Sequence, residues 1–265
     1  MKITMLGTGN ALVTKCYNTC FILNNNDEYL LVDGGGGNQI LSQLEKAKIA
    51  IHDLHHIFIT HKHLDHIAGV VWLIRMILQG TGVNNKVNNK YYVYGHDEVI
   101  KITEDLSRTL IRQKEVNLIG KVLFFVPVQD GEEKNIIGQN FKFFDIHSDK
   151  AKQFGFSMNN KELVCCGDEP YNETIKKYTE NANWLMHEAF CLDSEADIFN
   201  PYEKKHSTVK DACSVAQELN IKNLILYHTE DKNINNRKKL YTKEGKKYFS
   251  GNLYIPNDLE TININ

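Results

Sequence analysis

Residues 61 to 66 read His61-Lys62-His63-Leu64-Asp65-His66, three imidazoles and a carboxylate in six positions. Such a cluster is costly to bury unless something holds it, and a divalent metal is the group that most often does. The flanks indicate where it sits. Ile57-Phe58-Ile59-Thr60 has the apolar, β-branched character of a buried strand, and Ile67 to Gln79 is long and apolar enough for a helix. The ligands are therefore expected on the loop joining strand to helix, where alternate side chains can be aimed at one or two ions. The acid at the fifth position and the strand-loop-helix context distinguish this run from a histidine-rich surface loop.

The chain has 265 residues, enough for one large domain or two small ones with a sizeable core. A net charge of -2 argues against broad, sequence-independent nucleic-acid binding, although a local basic path remains open. No apolar run approaches the ~20 residues of a membrane span. Met1-Lys2-Ile3 leads into a strand pattern with no secretory signal, which favours a cytoplasmic location. The six cysteines form no Cys-x-x-Cys pair, so reduced and mostly buried thiols are expected, with Cys165 and Cys166 on opposite faces of one strand.

Along the chain, Lys2 to Leu6 reads as a strand running into Gly7-Thr8-Gly9-Asn10, a turn whose backbone N–H groups could approach an anion. Thr19 to Leu23 and Tyr29 to Val32 read as a hairpin, the second strand ending at Asp33 before four glycines. An acid at such a strand end can prop a site from behind. Asn38 to Lys48 reads as a helix, and His52, His55 and His56 as structural or solvated. Gly80 to Lys90 reads as a loop and Tyr91 to Tyr94 as a strand. Asp97 is the expected cap of a helix with the stripe Val99, Ile102, Leu106 and Leu110. Strands follow at Lys121 to Val128, Phe141 to Ile146, Glu162 to Cys166, Trp184 to Met186, Asn223 to Tyr227 and Asn252 to Ile255. Helices are expected at Tyr171 to Tyr178, after a cap at Ser207 or Thr208, and along the basic stretch Lys232 to Lys247.

One event recurs: a strand ends in His or Asp, at His61, His147, Asp168, His187 and His228. A single such histidine is usually structural. Several around one His-rich loop imply convergence, because strand ends along one sheet edge meet in space.

With these residues in place, the chain resembles the metallo-β-lactamase superfamily, and within it the ribonuclease Z branch, over nearly its whole length. The resemblance implies an α/β (α+β) fold, a four-layer αββα sandwich formed by one domain over residues 1–265, with the metal site along one edge of its two sheets. It implies that His61, His63 and His147 bind one metal ion and that Asp65, His66 and His228 bind a second, with Asp168 bridging. Five imidazoles and two carboxylates suit zinc, and manganese or iron also accept such ligands. The branch's His-Glu-Ala-Thr segment is His187-Glu188-Ala189-Phe190 here, and its His-Ser-Thr segment is His206-Ser207-Thr208. Glu188 and His206 thereby inherit the task of protonating the leaving group, and Asp65 that of orienting the nucleophile.

The expected function is a dinuclear metal-dependent hydrolase, a phosphodiesterase acting on an RNA end, as in tRNA 3′ processing, or on a small nucleotide diester. A homodimer is implied by resemblance alone. Only twenty residues separate His147 from Asp168, too few for the tRNA-gripping arm that long bacterial forms carry there. Lys204, Lys205 and the basic tail could meet phosphates. Two other readings stand beside this one: hydrolysis of a carboxylic ester, thioester or lactone at the same metals, and a metal-bearing sensing or binding module without turnover.

Overall fold

The computed structural model describes residues 1–84 and 89–264. The first half of the chain builds β1 (Lys2–Gly7), β2 (Cys20–Asn25), β3 (Glu28–Val32), α1 (Gln39–Lys46), β4 (His56–Phe58), α2 (Leu64–Asn84), β5 (Tyr91–Gly95), α3 (Asp97–Leu110), α4 (Gln113–Val116) and β6 (Leu123–Pro127). The second half adds β7 (Glu133–Ile136), β8 (Gln139–Asp145), β9 (Phe154–Met158), β10 (Leu163–Cys165), α5 (Lys176–Thr179), β11 (Trp184–Glu188), α6 (Ala196–Phe199), α7 (Val209–Glu218), β12 (Asn223–Tyr227), α8 (Arg237–Gly245), β13 (Asn252–Tyr254) and β14 (Thr261–Asn263).

Two seven-stranded sheets result, ordered β14-β1-β2-β3-β4-β5-β6 and β13-β12-β11-β10-β9-β8-β7. Alternation along the strands sorts their side chains into three apolar layers. Ile3, Met5, Phe58, Phe143, Phe156 and Met186 fill the space between the sheets. Leu31, Ile57, Val70, Leu73 and Ile74 pack the first sheet under its helices, and Val164, Leu185, Ala212, Leu224 and Tyr241 do the same for the second. This is the four-layer αββα arrangement. Cys165 faces the inter-sheet layer and Cys166 the helical one, on opposite faces as strand geometry requires, and all six cysteines are free. No helix among the described residues is long and apolar enough to cross a membrane.

In each sheet four strands run parallel, β3 to β6 in the first and β10 to β13 in the second. Parallel strands end on the same side, so the residues after β3, β4, β10, β11 and β12 gather along one edge, where ligands of open α/β sheets bind.

Several local expectations change. α2 starts at Leu64, so Asp65 and His66 stand in its first turn, where the positive helix end favours a carboxylate, and not on the preceding loop. It also continues to Asn84, making Gly80 to Asn84 helical, while residues 85–88 of the expected loop lie outside the described residues. The cap of α3 is His96, whose Nδ1 accepts the Val99 N–H, in place of Asp97. That helix buries Val99, Ile100, Thr103 and Ser107, packs Ile102 and Leu106 half-buried against the same core, and of the expected stripe leaves only Leu110 exposed; the Thr103 and Ser107 hydroxyls bond back to the carbonyls one turn earlier. Tyr171 to Tyr178 contains a 3-10 turn at Glu173–Ile175 followed by α5. Thr208 caps α7 in a reciprocal arrangement with Asp211.

The close approach of α2 to the β3 end depends on Gly69. A Cβ there would stand 1.8 Å from the Gly34 carbonyl oxygen, while one on Gly80 in the same helix would meet nothing within 4 Å. Gly69→Ala should therefore destabilise the protein by ~1–3 kcal/mol or more through a backbone clash. Gly80→Ala should be neutral or stabilise it by up to ~1 kcal/mol through helix propensity. Urea unfolding midpoints of the two variants check the opposite signs.

Candidate functional site

Asp33, just past β3, lies behind the site. Its backbone is left-handed (φ 57°), which turns the buried carboxylate toward the loop after β4. Oδ1 accepts the Thr60 N–H at 2.8 Å and Oδ2 accepts the Thr60 hydroxyl at 2.8 Å. The His66 Nδ1–H donates to the same Oδ2 at 2.8 Å. With Nδ1 so engaged, His66 presents Nε2 forward, in the way an outer carboxylate fixes the tautomer of a metal-binding imidazole. The backbone reinforces this registry, Gly34 N–H bonding to the His66 carbonyl and Gly69 N–H to that of Gly35.

In front of His66 the polar atoms converge. His66 Nε2 lies 3.4 Å from Asp65 Oδ2 and 3.7 Å from Asp168 Oδ2. His228 Nε2 lies 3.6 Å from Asp65 Oδ2 and 3.5 Å from Asp168 Oδ2. On the other side, Asp168 Oδ1 is 3.6 Å from His61 Nε2, which is itself 2.7 Å from His63 Nδ1. The Asp168 carboxylate thus stands between two sets of donors, one oxygen toward each.

The electrostatics follow from burial and neighbours. Burial alone would raise Asp168, but His61, His228, His66 and His206 draw its pKa well below the carboxylate range. Burial pushes His61 down, leaving the neutral imidazole a metal requires. For His66 burial acts in the same direction, but Asp65 and Asp33 outweigh it and raise its pKa well above the ordinary value.

These residues fit divalent cations. Among the described residues, His66 Nε2 and both ring nitrogens of His228 are buried without a hydrogen-bond partner, although two carboxylates lie within reach. Three overlapping groups bring their ligand atoms within 4.8 Å of one another: His61, His66 and Asp168; Asp65, His66 and His228; Asp168, His206 and His228. Orphaned nitrogens facing ionised carboxylates have the geometry of a site shaped around positive charge.

His147 is not brought into this cluster. The chain turns left-handed at this residue (φ 60°), and the ring, 55% exposed, faces Asp145 at 3.9 Å. Gln153 fills the buried place beside His61 and Asp168, its Nε2 donating to Asp168 Oδ1 at 2.6 Å and lying 3.3 Å from His61 Nδ1. His187, another strand-end histidine, is a core residue: its Nε2 accepts the Tyr171 N–H and its Nδ1 lies 2.7 Å from the Glu188 carbonyl. Glu188 is fully buried behind His206, the nearest approach being 3.6 Å from Oε2 to Nδ1, and its other oxygen accepts the Ser207 N–H. The His206 ring stacks on Phe190 with centroids 4.9 Å apart and an interplanar angle of 14°.

A pocket of about 170 Å³ opens over the cluster. His63, Asp65, Asp168 and His228 form its floor, His206 and Phe190 one wall, and Lys150, Lys204 and the turn Asn10 to Leu12 the rim. Lys204 therefore reaches the site as its charge suggests, while Lys205 pairs with Asp149 outside it. In the tail, Arg237 is fully buried and directed inward to Thr229, Thr8 and the Pro256 carbonyl, so it forms no phosphate-facing surface. The sequence reading missed Gln153 and Lys150, neither of which stands in a recognisable motif, and it placed Asn10 in an anion-facing turn and Arg237 in a basic tail without seeing the side-chain role of either.

A family profile described as "Anti-Pycsar protein Apyc1" matches residues 1–250. A curated relative, the Ribonuclease Z of Thermococcus sibiricus, is 25% identical over 313 residues, covering 100% of this chain and 96% of the relative. Among solved structures, the metallo-beta-lactamase fold protein YhfI from Bacillus subtilis superposes with a TM-score of 0.77 at 20% identity, covering 98% of each chain. Human tRNase Z, short form, does so with a TM-score of 0.72 at 20% identity over 100% of both chains. The likeness to the two structures is one of fold.

Asp33→Asn offers a direct test of the support behind His66. The amide would retain the Thr60 N–H but present a donor to His66 Nδ1, driving the ring proton to the nitrogen that faces the cluster. Metal affinity should fall by ~10- to 100-fold, read by competition with a chromophoric chelator.

Proposed function

Since the chain belongs to the Anti-Pycsar protein Apyc1 family, we propose that it is a metal-dependent phosphodiesterase whose substrate is a small nucleotide diester. Two divalent cations, zinc on the strength of the imidazole and carboxylate ligands, would be held by His61 and His63 on one side and by Asp65, His66 and His228 on the other, with Asp168 shared. When bound, they supply Lewis acidity, lowering the pKa of water and offsetting negative charge at phosphorus.

The pocket is the observation that carries the substrate class. It opens directly over the cluster with about 170 Å³ of space, and Lys150 and Lys204 stand on its rim. The twenty residues between His147 and Asp168 are spent on the loop after β8, on β9 and on β10, which are paired within the sheet. This supports a small substrate over a gripped duplex. A second reading, cleavage at RNA ends, is favoured by the relatives named Ribonuclease Z.

In this mechanism Asp65, at the cluster and in the first turn of α2, accepts a hydrogen bond from the attacking water and aims it at phosphorus. His206 hands a proton to the departing oxygen. Glu188 lies behind it, within ion-pairing distance of Nδ1, and Phe190 fixes the ring plane, so the imidazole is oriented before substrate arrives.

Hydrolysis of bis-p-nitrophenyl phosphate, a panel of cyclic nucleotides and a precursor tRNA, with zinc or manganese added, tests the proposal. Turnover of the small diesters is expected. Absence of turnover with metal bound would refute it, and cleavage of the tRNA in preference to every small diester would favour the second reading. His206→Ala should lower kcat on cyclic nucleotides by ~10²- to 10⁴-fold at unchanged metal content. The loss should be much smaller on bis-p-nitrophenyl phosphate, whose leaving group needs little protonation.

A further inference from the structure

The turn after β1 has an unexpected use. Its backbone donors are not free for an anion: Thr8 and Gly9 N–H both bond to the Tyr17 carbonyl, and Asn10 N–H bonds to that of Thr229. The Asn10 side chain remains. It is 5% exposed and lines the pocket over the cluster. Its Oδ1 accepts the Leu12 N–H at 2.9 Å, which settles the orientation of the amide, and among the described residues its Nδ2 has no hydrogen-bond partner. The Asn10 carbonyl is held by Asn18 Nδ2 at 2.7 Å, so the residue is fixed on three sides while one donor stays open.

The two lysines on the rim each have a partner already. Lys150 Nζ is taken by Glu169 at 2.9 Å and by the carbonyls of Lys204 and Lys205 at 3.2 and 3.4 Å. Lys204 Nζ donates to the Phe199 carbonyl at 2.7 Å and lies 5.1 Å above the Phe190 ring. The floor residues face the ion site, and His206 stands between Glu188 and the Asp168–His228 pair. Asn10 is tied through its backbone to Thr229, the residue after His228, which places its amide beside the cluster.

We propose that Asn10 is a substrate-binding residue whose Nδ2–H donates to a non-bridging oxygen of the phosphodiester. The assignment deepens the phosphodiesterase reading and rests on it. A neutral amide suits the position: it adds a preorganised hydrogen bond to an oxygen that gains charge during attack, without the repulsion that a lysine would exert on neighbouring divalent cations. The donor also discriminates. A tetrahedral phosphodiester directs a second anionic oxygen away from the ions, whereas a planar ester or thioester carries only one carbonyl oxygen, which the ions would take.

Two variants of the metal-loaded protein test the assignment. Asn10→Ala removes the donor; Asn10→Asp keeps the acceptor for Leu12 N–H and the shape but turns a carboxylate oxygen toward the substrate. Inorganic phosphate binding by calorimetry and kcat/KM on bis-p-nitrophenyl phosphate should fall by about 10- to 100-fold for Asn10→Ala, the range of a hydrogen bond to a charged group, and further for Asn10→Asp. Metal content should match the parent protein in both variants, and Tm should match it in Asn10→Asp, which keeps the Leu12 contact, while Asn10→Ala gives up that hydrogen bond and lowers Tm slightly. Phosphate affinity and kcat/KM within twofold of the parent in both variants would overturn the assignment. So would losses that track lowered metal content in both variants. A parent protein that binds phosphate but turns over no phosphodiester would defeat the phosphodiesterase reading, and the phosphate affinities would still decide the role of Asn10.

Discussion

A buried carboxylate without partners would cost several kcal/mol to desolvate. Asp33 avoids that cost by accepting the Thr60 amide, the Thr60 hydroxyl and the His66 ring N–H. Much of the site depends on this one group. It joins the end of β3 to the loop after β4 and to the first turn of α2. It determines which nitrogen of His66 faces forward, and the Thr60 hydroxyl it anchors lies 3.0 Å from His61 Nδ1. Gly69 lets α2 lie close enough for the contact to exist. The orientation of the ligands is thus a property of the fold before any ion arrives.

The two sheets supply opposite halves of the site. His61, His63, Asp65 and His66 come from the first, Asp168, Glu188 and His228 from the second. The seam between them is held at Thr229, which pairs with Gly9 and receives the Arg237 guanidinium, itself bonded to Thr8. A charge buried as deeply as Arg237 is sustained only by such hydrogen bonds. Its partners are therefore the residues that set the spacing between the two halves of the site.

How much of this was legible depended on the kind of signal. The ligand loop, Asp168 and His228 could be read because each follows an apolar, β-branched run, and strand ends of parallel sheets converge. Asp33 could be suspected for the same reason. Gln153 could not: an uncharged residue between Lys152 and Phe154 says nothing of its neighbours, and its place beside His61 arises from the fold of the loop after β8. The same loop carries His147 outward, which the sequence, showing only another histidine after a strand, could not reveal. Arg237 looked like one charge in a basic tail, since burial is a tertiary property. The strands β7 and β14 escaped notice because both are edge strands with polar residues and little periodicity; β9 was hidden by Gly155, which interrupts its aromatic pair.

Three strand-end residues, Asp33, His147 and His228, share a left-handed backbone. Apart from glycine, the residues that tolerate that conformation best are Asn, Asp and His. That short list overlaps the side chains able to hold a divalent ion. At these corners, then, the demands of turning the chain and of donating a lone pair draw on one vocabulary. Exchanges among Asp, Asn and His there can vary the chemistry of the edge while the corner keeps its backbone, whereas a β-branched residue would disturb both together.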